Sequence, residues 1–77
     1  MDKITIDQEK LLINFGLNVR YEREKRKLKQ EQLAEILDCS SVYISNVENG
    51  KHKLSLTYAL KFSLYFDKSI EDLLKEK

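Results

Sequence analysis

Apolar residues recur every three or four positions along most of the chain, the spacing that places side chains on one face of an α-helix. The first such segment follows Asp7, a favoured N-cap residue, and extends to about Arg26. Its apolar positions are Leu11, Leu12, Phe15 and Val19. Gly16 leaves two alternatives open: one long helix whose glycine permits close approach of another helix, or a break, with 6–15 as a separate element.

Two short helices are predicted next, Gln30 to Leu37 and Ser41 to Glu48, with only three residues between them. The inward positions are Leu33, Ala34, Leu37, Ile44 and Val47. Ser40 can cap the second of these helices, and Gly50 can end it because glycine adopts the left-handed conformation without steric cost. So short a connection forces the two helices to cross steeply.

A fourth helix is predicted from Ser55, its cap, to about Phe66, and it is apolar nearly all round. In a chain of 77 residues such a helix cannot bury every face internally, so part of it is expected to meet another chain. A last short helix follows Ser69, with Ile70, Leu73 and Leu74 inward. The pattern therefore predicts an all-α fold of five helices, forming one domain over residues 1–77 with an extended first helix.

Composition supports this fold class, because the chain has no proline and only two glycines, whereas β-sandwiches and barrels need many turn residues. The one cysteine cannot form an internal disulfide, which fits a reducing compartment. No apolar run approaches the roughly 18 residues of a transmembrane helix, and residues 1–7 lack the order of a signal peptide. We therefore expect a soluble, cytoplasmic protein that does not contact membranes.

The sequence gives no sign of catalysis. It contains one histidine, no cluster of metal-ligating residues, no glycine-rich phosphate loop and no nucleophile paired with a base in a motif. We expect no enzymatic activity, no catalytic residue, no metal and no cofactor. A chain of this length also leaves no room for a ligand-sensing domain, so no small-molecule ligand is expected.

Charge is unevenly distributed although the formal net charge is only +1. Residues 20–29 carry six basic and two acidic side chains, and Glu48 is the only acid in residues 39–66. The exposed face of the third helix is short-chained and uncharged: Ser41, Val42, Ser45, Asn46 and Asn49. Such a face suits a helix that enters the major groove, where amides and hydroxyls read base edges. Composition alone is equally consistent with a polar face that only contacts water.

Residues 28–35, Leu-Lys-Gln-Glu-Gln-Leu-Ala-Glu, and 40–51, Ser-Ser-Val-Tyr-Ile-Ser-Asn-Val-Glu-Asn-Gly-Lys, resemble the phage-repressor/Cro helix-turn-helix family, also called xenobiotic-response-element-type. The resemblance runs from about Gly16 to Leu74. It implies a compact, lambda-repressor-like DNA-binding domain with its motif at about 30–49. It also implies a transcriptional regulator, usually dimeric, that binds double-stranded DNA.

The resemblance also assigns site residues. The base-reading positions are Ser41, Val42, Ser45 and Asn46. The positions for DNA backbone contacts are Gln30, Lys29, Ser40, Tyr43, Lys51 and Lys53, with His52 as an additional candidate. For Tyr43 the alternative is packing against the end of the second helix, and for His52 it is an incidental surface residue. Arg23 and Glu48 occupy the positions of a buried ion pair, the alternative being that Glu48 only caps the end of its own helix.

Three residues depart from the family pattern. Lys29 stands where serine or threonine is common, so it is a poor cap, although it is a suitable phosphate ligand. Lys27 stands at a turn position where glycine is common, so the end of the first helix is expected to differ. Leu54 replaces a typical proline, which predicts a more mobile loop.

The function expected from these observations is that of a small homodimeric repressor or controller bound to a pseudo-palindromic operator. The expected dimer interface is Leu60, Leu64, Tyr65, Leu73 and Leu74, unless these residues complete the monomer core instead. The alternative function is a protein-interaction module, such as an antitoxin-type partner, with secondary DNA binding.

Overall fold

The computed structural model describes residues 3–51 and 53–77, and within these ranges the chain forms helices and no strand. The helices are α1 (Gln8–Lys25), α2 (Gln30–Leu37), α3 (Ser41–Glu48), α4 (Leu56–Phe66) and α5 (Ile70–Leu73). The predicted all-α fold is therefore confirmed, with helix bounds close to those expected from the sequence. None of the helices in the described part of the chain combines the length and the apolar character that crossing a bilayer requires.

Capping side chains fix where four of the helices begin. In each, the oxygen of the cap residue accepts a hydrogen bond from the backbone amide three residues later, at 3.0–3.2 Å. The cap residues are Asp7, Ser40, Ser55 and Ser69. At α2 the cap position is Lys29, and the bond runs the other way: its backbone amide donates to Oε1 of Gln32 at 2.8 Å.

The core is formed where α1, α2 and α3 meet and where α4 and α5 cover them. Its buried apolar residues are Phe15, Val19, Leu33, Ala34, Leu37, Ile44, Val47, Ala59, Phe62, Phe66 and Leu73. The ring of Phe15 on α1 meets that of Phe62 on α4 edge to face, with 5.7 Å between the centroids. This core fixes the positions of α2 and α3 and leaves one side of α3 uncovered.

Gly16 lies where α1 crosses the end of α3. A Cβ atom at this position would lie 2.7 Å from the carbonyl oxygen of Glu48, closer than real Cβ atoms approach other heavy atoms. The glycine therefore permits the close approach of the two helices, and α1 runs through it without interruption. The alternative of a break before Gly16 is wrong.

The expected dimer surface is only partly available. Leu60, Leu64 and Tyr65 are exposed on α4, and Leu64 retains 79% of its accessible surface. Leu73, by contrast, is only 2% exposed because α5 packs it into the core, and Leu74 is half-buried against the same core. Assigning Leu73 to an interface between chains was therefore wrong, since its side chain has almost no surface left to contribute.

The departure from the family pattern at Lys27 does not change how α1 ends. Lys27 adopts the left-handed conformation, with φ of 57°, and the amide of Leu28 donates to the carbonyl of Arg23 at 3.1 Å. The lysine thus takes the conformation that glycine favours, and the expected difference at this helix end is absent. Leu54, at the other departure, is half-buried and packs against the core.

Candidate nucleic-acid interface

The turn between α2 and α3 depends on one left-handed residue. Asp38 has φ of 58°, a conformation that aspartate tolerates better than most residues, and the amide of Cys39 donates to the carbonyl of Ala34 at 2.9 Å. Burial raises the pKa of the half-buried Cys39 thiol, so this group stays protonated at neutral pH. The turn is therefore held by backbone geometry and packing, with an unreactive thiol inside it.

Beyond this turn, α3 places its apolar and polar residues on different sides. Ile44 and Val47 are buried, whereas Val42 is 66% exposed and Ser41, Ser45 and Asn46 are partly exposed. Within residues 3–51 and 53–77, no hydrogen bond occupies the side-chain amide of Asn46. The side of α3 that sequence analysis assigned to base reading is therefore open to solvent.

Asn49, which the sequence placed on the polar face but not among the site residues, ties down part of that face. Its Nδ2 donates to the carbonyl oxygen of Ser45 at 2.8 Å and lies 3.5 Å from the Ser45 hydroxyl. The spacing of four residues on one helix was the signal for this contact. The Ser45 hydroxyl thus has a neighbour that the Asn46 amide lacks.

Exposed donors lie at both ends of the motif. Lys29 precedes α2, while Lys51 and Lys53 follow α3, and all three side chains are exposed. Ser40 is exposed as well, and its oxygen already caps α3 while its hydroxyl proton can be donated. His52 lies outside the described residues.

Tyr43 does not present its hydroxyl to solvent. The ring packs against Tyr58, with 4.8 Å between centroids, and the hydroxyl oxygen of Tyr43 is buried. Tyr58 in turn donates from its hydroxyl to the carbonyl of Asp38, at the end of α2, at 2.8 Å. Tyr43 is therefore a packing residue beside the end of α2, and assigning it a DNA backbone contact was wrong.

Arg23 and Glu48 form a buried, bidentate ion pair between α1 and α3. Nε of Arg23 donates to Oε2 of Glu48 at 2.6 Å, and Nη2 donates to Oε1 at 3.0 Å. The hydrogen bond to Glu48 raises the pKa of Arg23, against the opposing effect of burial, so the guanidinium remains charged. The alternative that Glu48 only caps the end of α3 is wrong.

Two further bonds extend this ion pair to the start of α2. Nη1 of Arg23 donates to the carbonyl of Leu28 at 2.7 Å, which fixes the turn between α1 and α2. Nε2 of Gln30 donates to Oε1 of Glu48 at 3.1 Å. The sequence gave no sign of this second bond, because Gln30 and Glu48 are 18 residues apart and meet only once α2 packs against α3.

Sequence analysis also missed two buried asparagines on α1. Nδ2 of Asn18 donates to the carbonyls of Leu73 and Lys75 at 2.9 and 2.8 Å, and Nδ2 of Asn14 donates to the carbonyl of Leu74 at 3.3 Å. Their spacing of four, on the same side of the helix as Phe15, was the available signal. They hold the end of α5 against α1.

Comparisons with known proteins agree with this geometry. A family model described as helix-turn-helix matches residues 19–73. Among solved structures, the restriction-modification controller protein C.AhdI from Aeromonas hydrophila is 32% identical, with 80% of this chain and 94% of that chain covered and a TM-score of 0.72. The clp gene regulator ClgR from Corynebacterium glutamicum is 25% identical, with 83% and 68% covered and a TM-score of 0.75.

A third structure shows the same fold over nearly the whole chain. The hypothetical transcription factor NHTF from Neisseria is 22% identical, with 99% of this chain and 87% of that chain covered and a TM-score of 0.79. No curated protein sequence matches the chain significantly. Because the family model covers well over half of the sequence, the chain belongs to the helix-turn-helix family of phage-repressor/Cro type and is a DNA-binding transcriptional regulator.

Proposed function

We propose that this chain binds as a homodimer to a pseudo-palindromic operator and places α3 in the major groove at each half-site. The observation that carries this proposal is the open face of α3, which is uncharged, rich in amide and hydroxyl groups, and uncovered by the described chain. In helix-turn-helix proteins the second helix of the motif lies in the major groove and the first crosses the backbone. The proposed base-reading residues are Ser41, Val42, Ser45 and Asn46.

The chemistry of these side chains sets what each one reads. The Asn46 amide carries a donor and an acceptor, so it can pair bidentately with adenine at N6 and N7. The methyl groups of Val42 can contact the methyl group of thymine. A good bidentate pair contributes about 1–3 kcal/mol of discrimination against a wrong base, so Asn46 is the position at which a substitution tells most.

Contacts to the DNA backbone hold the motif in register without reading sequence. The proposed backbone residues are Lys29, Gln30, Ser40, Lys51 and Lys53. The three lysines lie at opposite ends of the motif, before α2 and after α3, and therefore can contact phosphates on both sides of the groove. Each lysine that neutralises a phosphate releases counterions, so binding is expected to weaken steeply with salt.

The dimer is proposed to form through α4. One helix-turn-helix unit makes few base contacts, whereas two units on half-sites about 34 Å apart read twice as many. Leu60, Leu64 and Tyr65 are exposed on α4, and Leu74 lies half-buried on the neighbouring end of α5. An isologous contact through this apolar surface gives the two-fold symmetry that a pseudo-palindrome requires.

The similarity to C.AhdI supports a more specific role. That protein is a restriction-modification controller, and the match spans 94% of its length at 32% identity. We therefore propose that this chain is a controller-type regulator with no catalytic role. Such a regulator works in the compartment that holds its operator, so we place it in the cytoplasm.

The test is binding-site selection from random duplexes with the parent chain and with Asn46→Ala. We expect the parent to select a two-fold symmetric site and the variant to lose preference at one base pair in each half-site, because the amide that reads it is gone. Measured affinities for duplexes changed at that pair should then differ by about 1–3 kcal/mol less than in the parent.

Lys51→Ala is the matched control, since it removes a proposed phosphate contact and leaves the face of α3 intact. It should weaken all duplexes alike and lower the slope of log K against log salt by about one. If Asn46→Ala selects the same site with unchanged preference at every position, the base-reading assignment is wrong. If affinity hardly changes between about 50 and 200 mM salt, the chain is an interaction module of the antitoxin type instead.

A further inference from the structure

The carboxylate of Glu48 joins the ion pair to the first residue of α2, and the fold alone does not require this bond. The Glu48 side chain is only 3% exposed, and its Oε1 accepts from both Nη2 of Arg23 and Nε2 of Gln30. We infer that Glu48 is a positioning residue for DNA binding, which holds the Gln30 amide ready for a phosphate. This inference rests on the phosphate contact proposed for Gln30.

The bond to Glu48 decides which way the Gln30 amide faces. A carboxylate only accepts hydrogen bonds, so the nitrogen of the amide, and not its oxygen, must point toward Glu48. Nε2 carries two hydrogens, and the bond to Oε1 at 3.1 Å uses one of them. The second hydrogen therefore remains available to a phosphate oxygen, on an amide that cannot flip without losing its bond to Glu48.

Arg23 makes the arrangement compatible with DNA. A lone carboxylate this close to a phosphate contact would repel the backbone, but the bidentate guanidinium neutralises Glu48 at 2.6 and 3.0 Å. Gln30 is itself half-buried, so its side chain has already lost part of its freedom in the free protein. Binding DNA then does not have to order a long, mobile side chain, which favours affinity.

The experiment compares four full-length chains: the parent, the pair variant Arg23→Met with Glu48→Met, the single variant Gln30→Ala, and the triple variant. Replacing both partners of a buried ion pair by apolar residues of similar size is often neutral or stabilising, so the pair variant is expected to fold. Affinity is measured by fluorescence anisotropy on the operator selected above, with melting temperature as the check of folding.

We expect the pair variant to bind roughly fivefold to tenfold more weakly than the parent, because Gln30 is no longer held. Gln30→Ala should lose a similar factor. In the Gln30→Ala background, removal of the pair should change affinity by less than about twofold, since no amide is left to position.

Equal losses from the pair substitution in both backgrounds would mean that the ion pair acts only through the fold, and the inference would be wrong. Binding by Gln30→Ala that equals the parent's would overturn the phosphate contact of Gln30 and the inference with it. The two failures are distinguishable because the second needs no change at Arg23 or Glu48.

A measurement on the unmodified chain decides the matter should the multiple variants not fold. ¹⁵N relaxation of side-chain amides reports how rigidly each is held on the picosecond to nanosecond scale. Gln30 should be markedly more ordered than Gln8, an exposed glutamine on α1 that serves as the control. Equal mobility of the two amides would show that Glu48 does not hold Gln30 in solution and would overturn the inference.

Discussion

At Gly16 the lack of a side chain determines how closely α1 can lie against α3. The nearest atoms to a Cβ built there belong to the backbone at Val47 and Glu48, and backbone atoms cannot rotate away as a flexible side chain can. The same crossing brings Arg23 within bonding distance of Glu48. One residue on α1 thus sets the geometry of the buried ion pair and, through it, the start of α2.

Gly16→Ala is therefore expected to destabilise the fold by about 1–3 kcal/mol, since the overpacking at the crossing outweighs the gain in helix propensity. For a domain of this size each kcal/mol corresponds to roughly 4–8 °C in melting temperature, so thermal unfolding followed by circular dichroism measures it. Arg20→Ala, an exposed change on the same helix, is the control and should shift stability by less than about 0.5 kcal/mol. A Gly16→Ala chain as stable as the control would show that the helices are not in tight contact.

Among the elements, α5 depends most on its neighbours. It has four residues, far fewer than a helix needs to be stable alone in water. It is held at its start by the Ser69 cap, through its middle by the buried Leu73, and at its end by Asn18. The asparagine supplies donors to carbonyls that the end of a helix leaves unsatisfied.

Removing the amide of Asn18 should loosen this end of the molecule. Asn18→Ala leaves buried carbonyls without a donor, a loss of about 1–3 kcal/mol. Asn18→Asp should lose more at neutral pH, because a carboxylate only accepts hydrogen bonds and would face carbonyl oxygens at positions now 2.8–2.9 Å from Nδ2. Melting temperature and hydrogen exchange of the amides in residues 70–75 measure both effects.

Asn14→Ala is the matched control for this pair of variants, since Asn14 makes one longer bond, of 3.3 Å, to the same segment. It should cost less than either change at Asn18. If all three variants melt at the same temperature, the end of α5 is held by the packing of Leu73 and not by the asparagines.

For the whole molecule, the main question is which surface another chain covers. Exposed apolar residues lie on α4 at Leu56, Leu60 and Leu64, one turn apart, so they form a continuous stripe. A second group, Ile13, Leu17 and Tyr21, has the same spacing on α1. The proposed dimer uses the stripe on α4, which the exposed ring of Tyr65 extends.

Leu64→Glu should convert the dimer to a monomer, because two buried carboxylates would face each other across a two-fold interface. Analytical ultracentrifugation measures the mass, and operator affinity should fall with it since each chain then binds one half-site. Leu17→Glu places the same charge on a similarly exposed leucine of α1 and should leave the dimer intact. Monomers produced by Leu17→Glu and not by Leu64→Glu would instead assign the interface to α1.

The sequence by itself determined the fold class, the bounds of the helices and the residues on the open side of α3. These features follow from local physics: the helical period of apolar residues, serine and aspartate at caps, and Gly50, whose φ of 67° ends α3. The pairing of Arg23 with Glu48 was also predicted, although from resemblance to the family and not from spacing.

Only the tertiary structure decided which side chains are shared between distant segments. Tyr43 packs on Tyr58 and Leu73 lies in the core, because α4 and α5 fold back over residues that a one-dimensional pattern leaves open. The bond from Gln30 to Glu48 likewise exists only after two helices pack, and periodicity within one helix carries no information on such contacts. Local pattern thus specifies the elements, while packing selects which of their polar groups remain free to bind DNA.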